Sequence, residues 1–441
     1  MTSPKDGFEA QTPRRKFLKD STAMVLGGLL APRRSFAAAA RAADGQALAD
    51  DLRKGVSATV EVDAGKYARE NCPMSLDLSE PWPGQEPLVV SRMDTGQSLD
   101  VQYVRNPRPR LVWLDADPLP AGQSRRYRLA SAPAATNPTP VTASDDGQGV
   151  LLKAGDKPVL WYNQAVIPSP DRANPFYKRS GFIHPVFNPA GQPVTDDFPP
   201  DHMHQHAVWF AWVNTTFENR HVDFWEQGPA SGPGAVTGVI RNFGDDEKGG
   251  GPVCGHLRAD LHHIDLTAPG GPKLVLRETW DVCVYNLRDM FLFDLISTQK
   301  CASASPLMIA KYDYGGMAIR GNRNWFDIKN SEYLTSEGKT RKDGNLTRPR
   351  WVDLYGRIED KVSGITIFDH PANFRFPQPT RLHPAKPYFC FTPQALGPFS
   401  IEPGKPYVSK YRFCVHMGPP DAKTLERIWY DFAEPARVRV V

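Results

Sequence analysis

The chain has 441 residues, 40% hydrophobic and 23% charged, which reads as soluble and globular, with room for two domains or one large β domain with an appendage. Its 42 prolines and 35 glycines favour many short strands joined by turns over long helices. The net charge of +4 belongs to the first 40 residues, which carry seven Lys/Arg against three acids; the remainder balances at 46 of each, so no basic field remains to recruit nucleic acid.

The N-terminus "TPRRKFLKDSTAMVLGGLLAP" joins a twin arginine, Arg14-Arg15, to a mild apolar run, Ala23 to Leu30. "SFAAAARAA" follows with the small residues a signal peptidase needs. Residues 1–43 are therefore expected to be a twin-arginine signal, read by the twin-arginine export machinery. The expected location is periplasmic or secreted. No later run reaches about 18 apolar residues, so no stable membrane span is expected. The six cysteines form no CxxC pair, which removes zinc-ribbon and thioredoxin readings.

Residues 55–130 read as a small N-terminal β unit. "VSATVEVDAG" alternates with period two, and "RLVWLDADPLPAGQSRRYRL" reads as strand, turn and strand. Residues 131–140, rich in Ala, Pro and Thr, read as a linker. Residues 141–441 are expected to form the main domain. "VLLKAGDKPVLWYN", "AVWFAWVN", "KLVLRETWDVCVYN", "FLFDLIST" and "YVSKYRFCVHMG" all have strand composition. Only "PPDAKTLERIWYDFAEP" predicts a helix, with Leu425, Ile428 and Trp429 at helical spacing. "FGDDEKGGGPVCG" and "NSEYLTSEGKTRKDGNLTRPR" read as long loops. The expected fold is all-β: a large antiparallel β-sandwich, a small N-terminal β unit and a short C-terminal helix.

The chemistry concentrates in "DHMHQHAVWF", Asp201 to Phe210, where His202, His204 and His206 alternate. Five of the 11 histidines fall between His184 and His221. On a strand the three would share one face and span about 13 Å. Metal–nitrogen bonds are about 2 Å, so at most His202 and His204 could share one transition metal. A third ligand would then come from His184, His221, Asp201 or Glu226. A metal-free alternative places the imidazoles on a concave sheet as proton shuttles. There Trp209, Trp212 or Trp225 supplies an apolar floor, and Glu226, raised in pKa by its surroundings, acts as acid or base. A purely structural role remains the third reading. Elsewhere, "IFDHPANFRFP" offers Asp369, His370 and Asn373 in a polar turn. "ETWDVCVYN" offers Glu278 and Asp281. Tyr314 precedes a Gly-Gly pair that suits close backbone approach, and His383 lies in a Pro-rich segment.

Taken in order, "SGFIHPVFNPAGQPVTDDFP", "DHMHQHAVWFAW", "VDFWEQG", "YDYGGMAIRG", "GITIFDHPANFRFP" and "YRFCVHMG" resemble the family labelled methane oxygenase PmoA-like. That is a domain of unknown function common in exported proteins of polysaccharide-degrading bacteria. Asp201, His202 and His204 fit its pattern, whereas Gln205, His206 and Ala207 stand where His, Arg and Gly are usual. Asp369, His370, Pro371 and Asn373 match its Asp-His-Pro-x-Asn pattern. The family is similar in layout to galactose-mutarotase-like supersandwiches, which implies a sugar held in a concave sheet by histidines and a carboxylate. The expected function is binding or processing of a carbohydrate, or another small-molecule ligand, by epimerase, lyase or hydrolase chemistry. His202, His204, Glu226, Asp369 and His370 would be the reacting groups. Trp209, Trp225, His184, Asn373 and Tyr314 would bind the substrate. The alternatives are a periplasmic metalloprotein with two histidines and one further ligand, and a non-catalytic glycan-recognition module.

Overall fold

The computed structural model describes residues 52, 57–78, 81, 88–131, 139–227, 234–239 and 248–441. The segment read as an export signal and most of the linker at 131–140 lie outside the described residues. So does the middle of "FGDDEKGGGPVCG".

Among the described residues the strands form sheets of seven, eight, four and nine strands. The eight-stranded sheet runs, edge to edge, Thr380–Leu382, Tyr388–Phe391, Gly316–Arg320, Val208–Ala211, Phe182–Val186, Lys157–Asn163, Gly149–Ala154 and Val141–Asp145. The nine-stranded sheet contains the longest strands, Cys254–Asp265, Lys273–Tyr285, Phe291–Cys301 and Tyr407–Met417. All pairings in both sheets are antiparallel. The two sheets stack face to face. Phe391 and Phe210 of one meet Tyr411 of the other at ring separations of 5.7 and 6.4 Å, and Tyr162 meets Trp280 at 6.3 Å. This makes the all-β sandwich the patterning implies, because apolar residues two apart on each strand share the inner face.

The nine-stranded sheet is covered on its other face as well. There Cys254, Cys283, Leu292 and Cys414 pack with Val104 and Val112 of the N-terminal sheet and with Leu425, Ile428 and Trp429 of the C-terminal helix. Burial on both faces explains why Lys361–Asp369 is continuously buried from Ser363 onward instead of on alternate residues. The helix spans Ala422–Ala433; the Asp421 side chain caps it by accepting from Lys423 N, and Pro435 follows its end. Buried Arg69 donates to Asp431 at 2.9 Å and to the Glu434 carbonyl at 2.7 Å, tying the N-terminal sheet to this helix.

Three local expectations change. The N-terminal sheet is completed by the last strand of the chain, Arg437–Val440, which pairs with Ala58–Asp63. The segment read as a long loop from Asn330 begins with a strand, Ser331–Thr335, at one edge of the nine-stranded sheet. The histidine run is not a strand. His202 N bonds the Pro199 carbonyl and Gln205 N bonds the His202 carbonyl, so the chain turns twice before strand Val208–Ala211 begins. Pro199-Pro200 supplies no amide donors, which removes the ladder a strand would need. The six cysteines are free, and no helix among the described residues is long and apolar enough to cross a membrane.

Candidate functional site

Strand register sorts the two faces of the eight-stranded sheet. Val208, Ile319 and Phe389 pair in line with Ile183 on the face turned to the core. The opposite face therefore carries Trp209, Arg320, Tyr388 and Arg381, since Trp209 pairs with Ala318, Arg320 with Tyr388 and Arg381 with Cys390. Arg320 stands on an interior strand and Arg381 on the edge strand, and the residues around them explain the presence of two guanidinium groups on one face.

The turn holding Asp201 docks against Arg320. Asp201 Oδ1 accepts from Arg320 Nη2 at 2.9 Å, Lys386 Nζ lies 3.7 Å from Oδ2, and Gln205 Oε1 accepts from Arg320 Nη1 at 3.1 Å. Burial works against the Asp201 charge, but the bonds from His202 and Arg320 outweigh it and hold the carboxyl below its usual range. An ionised carboxylate only accepts, so His202 Nδ1, 2.8 Å from Oδ2, is the donor. The lone pair of this imidazole is thereby placed on Nε2, the arrangement of an oriented general base.

A row of rings extends from His202. It lies 5.5 Å from His204, 5.9 Å from His383 and 5.5 Å from Tyr388. Tyr388 continues to Tyr314 at 6.4 Å and Tyr314 to Tyr312 at 5.7 Å, while Tyr177 flanks His204 at 6.4 Å. Arg381 donates to the Tyr314 hydroxyl at 3.0 Å. At the far end Tyr312 hydrogen-bonds Glu226, whose carboxyl is raised above its usual range by burial and then by Asp223. Asp223 Oδ1 accepts from Trp225 N and Glu226 N, an Asx turn that aims Glu226. Burial, the neighbouring histidines and Arg320 push His204 down to about 3, so it is neutral near pH 7. Burial, Arg381, His202, Lys386 and Arg320 push His383 down to about 4.

The structure sets His202 beside His204 and links them through Tyr388 to Tyr314, leaves Glu226 at the far end of the row beyond Tyr312, and separates the other expected residues. Trp209 and Trp225 are 0% and 1% exposed and pack on each other with centroids 4.6 Å apart, so neither presents a face to a ligand. His184 is pinned beside Thr195 Oγ1 at 3.0 Å, and burial lowers its pKa. His206 is sealed between Phe182 and Phe198, with Nδ1 2.9 Å from Asp197 Oδ1. Burial pushes Asp197 up to about 7 and His206 well down, so both favour their neutral forms.

Asp369, His370 and Asn373 belong to the other sheet and do not reach this site. Asp369 pairs with Tyr411, and its carboxyl accepts from Asn373 Nδ2 at 2.8 Å and Gln378 N at 2.7 Å. His370 Nδ1 accepts from Ala372 N and its ring packs on Phe432. The Asp-His-Pro-x-Asn pattern is here a turn clamp. Glu278 is buried among His263, Trp280, Ser297 and Gln299, a satisfied core network. Gly315 and Gly316 both adopt positive φ, and a Cβ on Gly316 would strike the Phe391 carbonyl, so the close approach that needs glycine is between strands. Among the described residues no group of three His, Cys, Asp or Glu side chains is arranged to hold a metal ion.

Sequence reasoning missed Arg320, Arg381, Tyr388, Lys386, Tyr177 and Tyr312, and left His383 undecided. Arg320, Arg381 and Tyr388 meet through sheet register, whereas Tyr177, Tyr312, His383 and Lys386 come from turns outside the strands.

Residues 149–430 match a family of unknown function, DUF6807. No curated protein matches the chain. Two solved structures from Enterococcus faecalis are similar in part. One is a protein in glycosyl hydrolase family 38, with TM-score 0.42 and 11% identity over 87% of this chain and 47% of that one. The other is an alpha-mannosidase, with TM-score 0.40 and 10% identity over 87% of this chain and 46% of that one. A heparan sulfate lyase from Pedobacter heparinus has TM-score 0.31 and 10% identity over 64% of this chain and 37% of that one. The chain spans about half the length of the first two.

Proposed function

The chain belongs to DUF6807, a family of unknown function, and we propose that it is an exported protein that binds and processes a carbohydrate on the outward face of its eight-stranded sheet. The observation that carries this reading is the row Tyr177–His204–His202–Tyr388–Tyr314–Tyr312, bounded by Asp201 and Glu226. Sugars present hydroxyls on their rims and C–H patches on their faces. Rings that each carry a polar atom match both.

In this reading half-buried Tyr314 lies against the sugar, and buried Tyr388 packs on Tyr314 and His202 to hold them in place. His202 Nε2 accepts a proton from a substrate hydroxyl or an acidic C–H. Asp201, itself held by Arg320, stabilises the imidazolium that forms. His204 stays neutral and orients a hydroxyl. Glu226, with its raised pKa, keeps its proton closer to neutrality than an ordinary carboxyl and can return one to the substrate. Transfer to and from a sugar is common to epimerisation, elimination and hydrolysis, and the residues named serve any of the three.

The test is calorimetric titration of the protein with a panel of mono- and oligosaccharides, repeated with His202→Gln and Tyr314→Ala. A saccharide should bind the parent and lose about tenfold or more in each variant. Unchanged affinity in both variants would place the site elsewhere.

A further inference from the structure

We infer that the sugar this site takes is acidic: a saccharide bearing a carboxylate, of the uronate type, held through Arg381. This rests on the reading of the outward face as a carbohydrate site and adds the charge of its ligand.

The argument is one of unbalanced charge. Three cationic side chains bear on the site, Arg320, Lys386 and Arg381. Asp201 serves the first two: Arg320 reaches its oxygens at 2.9 and 3.3 Å, and Lys386 lies 3.7 Å away with its ammonium 3.7 Å from the Phe326 ring centroid. Among the described residues Arg381 forms no ion pair. Its Nη1 donates to Asn345 Oδ1 at 2.9 Å and to the Leu382 carbonyl at 3.1 Å, and its Nη2 to the Tyr314 hydroxyl at 3.0 Å. Its Nε is buried without an acceptor. Every bond it makes is to a neutral oxygen, which fixes the guanidinium in place without neutralising it.

The guanidinium lies 5.1 Å from the Tyr314 ring centroid, so it is fixed against a ring proposed to carry the sugar. Glu226, the acid at that end of the row, is bonded to Tyr312, and burial favours its protonated form. The field on His383 agrees in sign: beyond burial, the groups that push its imidazole down to about 4 are Arg381, His202, Lys386 and Arg320. A half-buried, pre-oriented arginine with no ion-pair partner among the described residues is costly to hold, and a ligand carboxylate offsets that cost by charge-assisted hydrogen bonds. A neutral hexose leaves it uncompensated. The remaining Nη2 hydrogen is the donor left for that carboxylate, since Nη1 is engaged twice and Nε is buried.

The experiment titrates the protein with oligogalacturonate and oligoglucuronate, their methyl esters, neutral oligosaccharides of the same length, and a sulfated oligosaccharide, at low and moderate salt. The free acids should bind about tenfold or more tighter than their methyl esters and the neutral sugars. Added salt should narrow the gap, and Arg381→Gln should bring the ratio to within about twofold of one. Circular dichroism establishes that Arg381→Gln is folded; if it is not, the acid-to-ester ratio in the parent decides the matter alone. Equal affinity for acid, ester and neutral sugar would overturn this inference while leaving the carbohydrate site standing. A preference for the sulfated sugar over the uronates would overturn the carboxylate assignment. Binding of none of these would overturn both the inference and the reading beneath it.

Discussion

Asp201 holds two partners at once: His202 Nδ1 donates to its Oδ2 at 2.8 Å, and Arg320 Nη2 donates to its Oδ1 at 2.9 Å. The Arg320 side chain is 1% exposed, so removing the carboxylate strands a charge where water does not reach it. Asp201→Ala is expected to cost about 3 kcal/mol, measured by urea denaturation. It should also free the His202 ring and abolish saccharide turnover. A variant as stable as the parent would show that Arg320 has other compensation.

Asn373 should behave in the opposite way. Its amide bonds Asp369, and it bonds Lys410 through both the backbone N–H and the carbonyl, at 2.7–2.8 Å, away from the ring row. Asn373→Ala is expected to lose about 2 kcal/mol in denaturant titration. Saccharide affinity should not change, and a large loss of affinity in a folded variant would return this turn to the site.

Trp225 separates core from ligand floor. It is closed to solvent and packed on Trp209, so Trp225→Ala should cost about 3–5 kcal/mol. Trp225→Phe keeps most of the packing and should retain saccharide binding in calorimetry. Lost binding in the Phe variant, with stability retained, would mean that the indole reaches the ligand.

His204 makes a pH prediction. The unfolded chain takes up its proton near pH 6.5, whereas the folded chain does so only near 3, because burial opposes the charge. Folding is therefore disfavoured progressively at this residue as pH falls between those values. His204→Gln cannot take up that proton. The stability of the variant relative to the parent should rise from pH 7 to pH 4, followed by thermal melts at each pH. A difference independent of pH would place His204 in solvent.

The elements were legible where pattern and burial agree. Lys273–Tyr285 and Tyr407–Met417 carry strand composition along their whole length, and Leu425, Ile428 and Trp429 do mark the buried face of the C-terminal helix. The histidine run misled because alternation is a strand signal only when the backbone can join a ladder, and Pro199-Pro200 cannot. Trp209 and Trp225 misled because an aromatic beside polar residues reads alike whether it floors a pocket or fills the layer beneath one.

The sequence by itself determined that this chain builds antiparallel sheets, that its histidines cluster around residue 202, and that Tyr314 precedes a Gly-Gly pair. These follow from composition, period and local turn chemistry. Tertiary structure alone decided that Asp201 and not Asp369 partners a histidine, and that Arg320, Arg381, Tyr388 and His383 complete the row. It also decided which face they occupy. Those residues come from strands and turns that meet only in the folded sheet. Which side chains then share a face is set by the pairing register, and one residue of slip would turn each of them the other way.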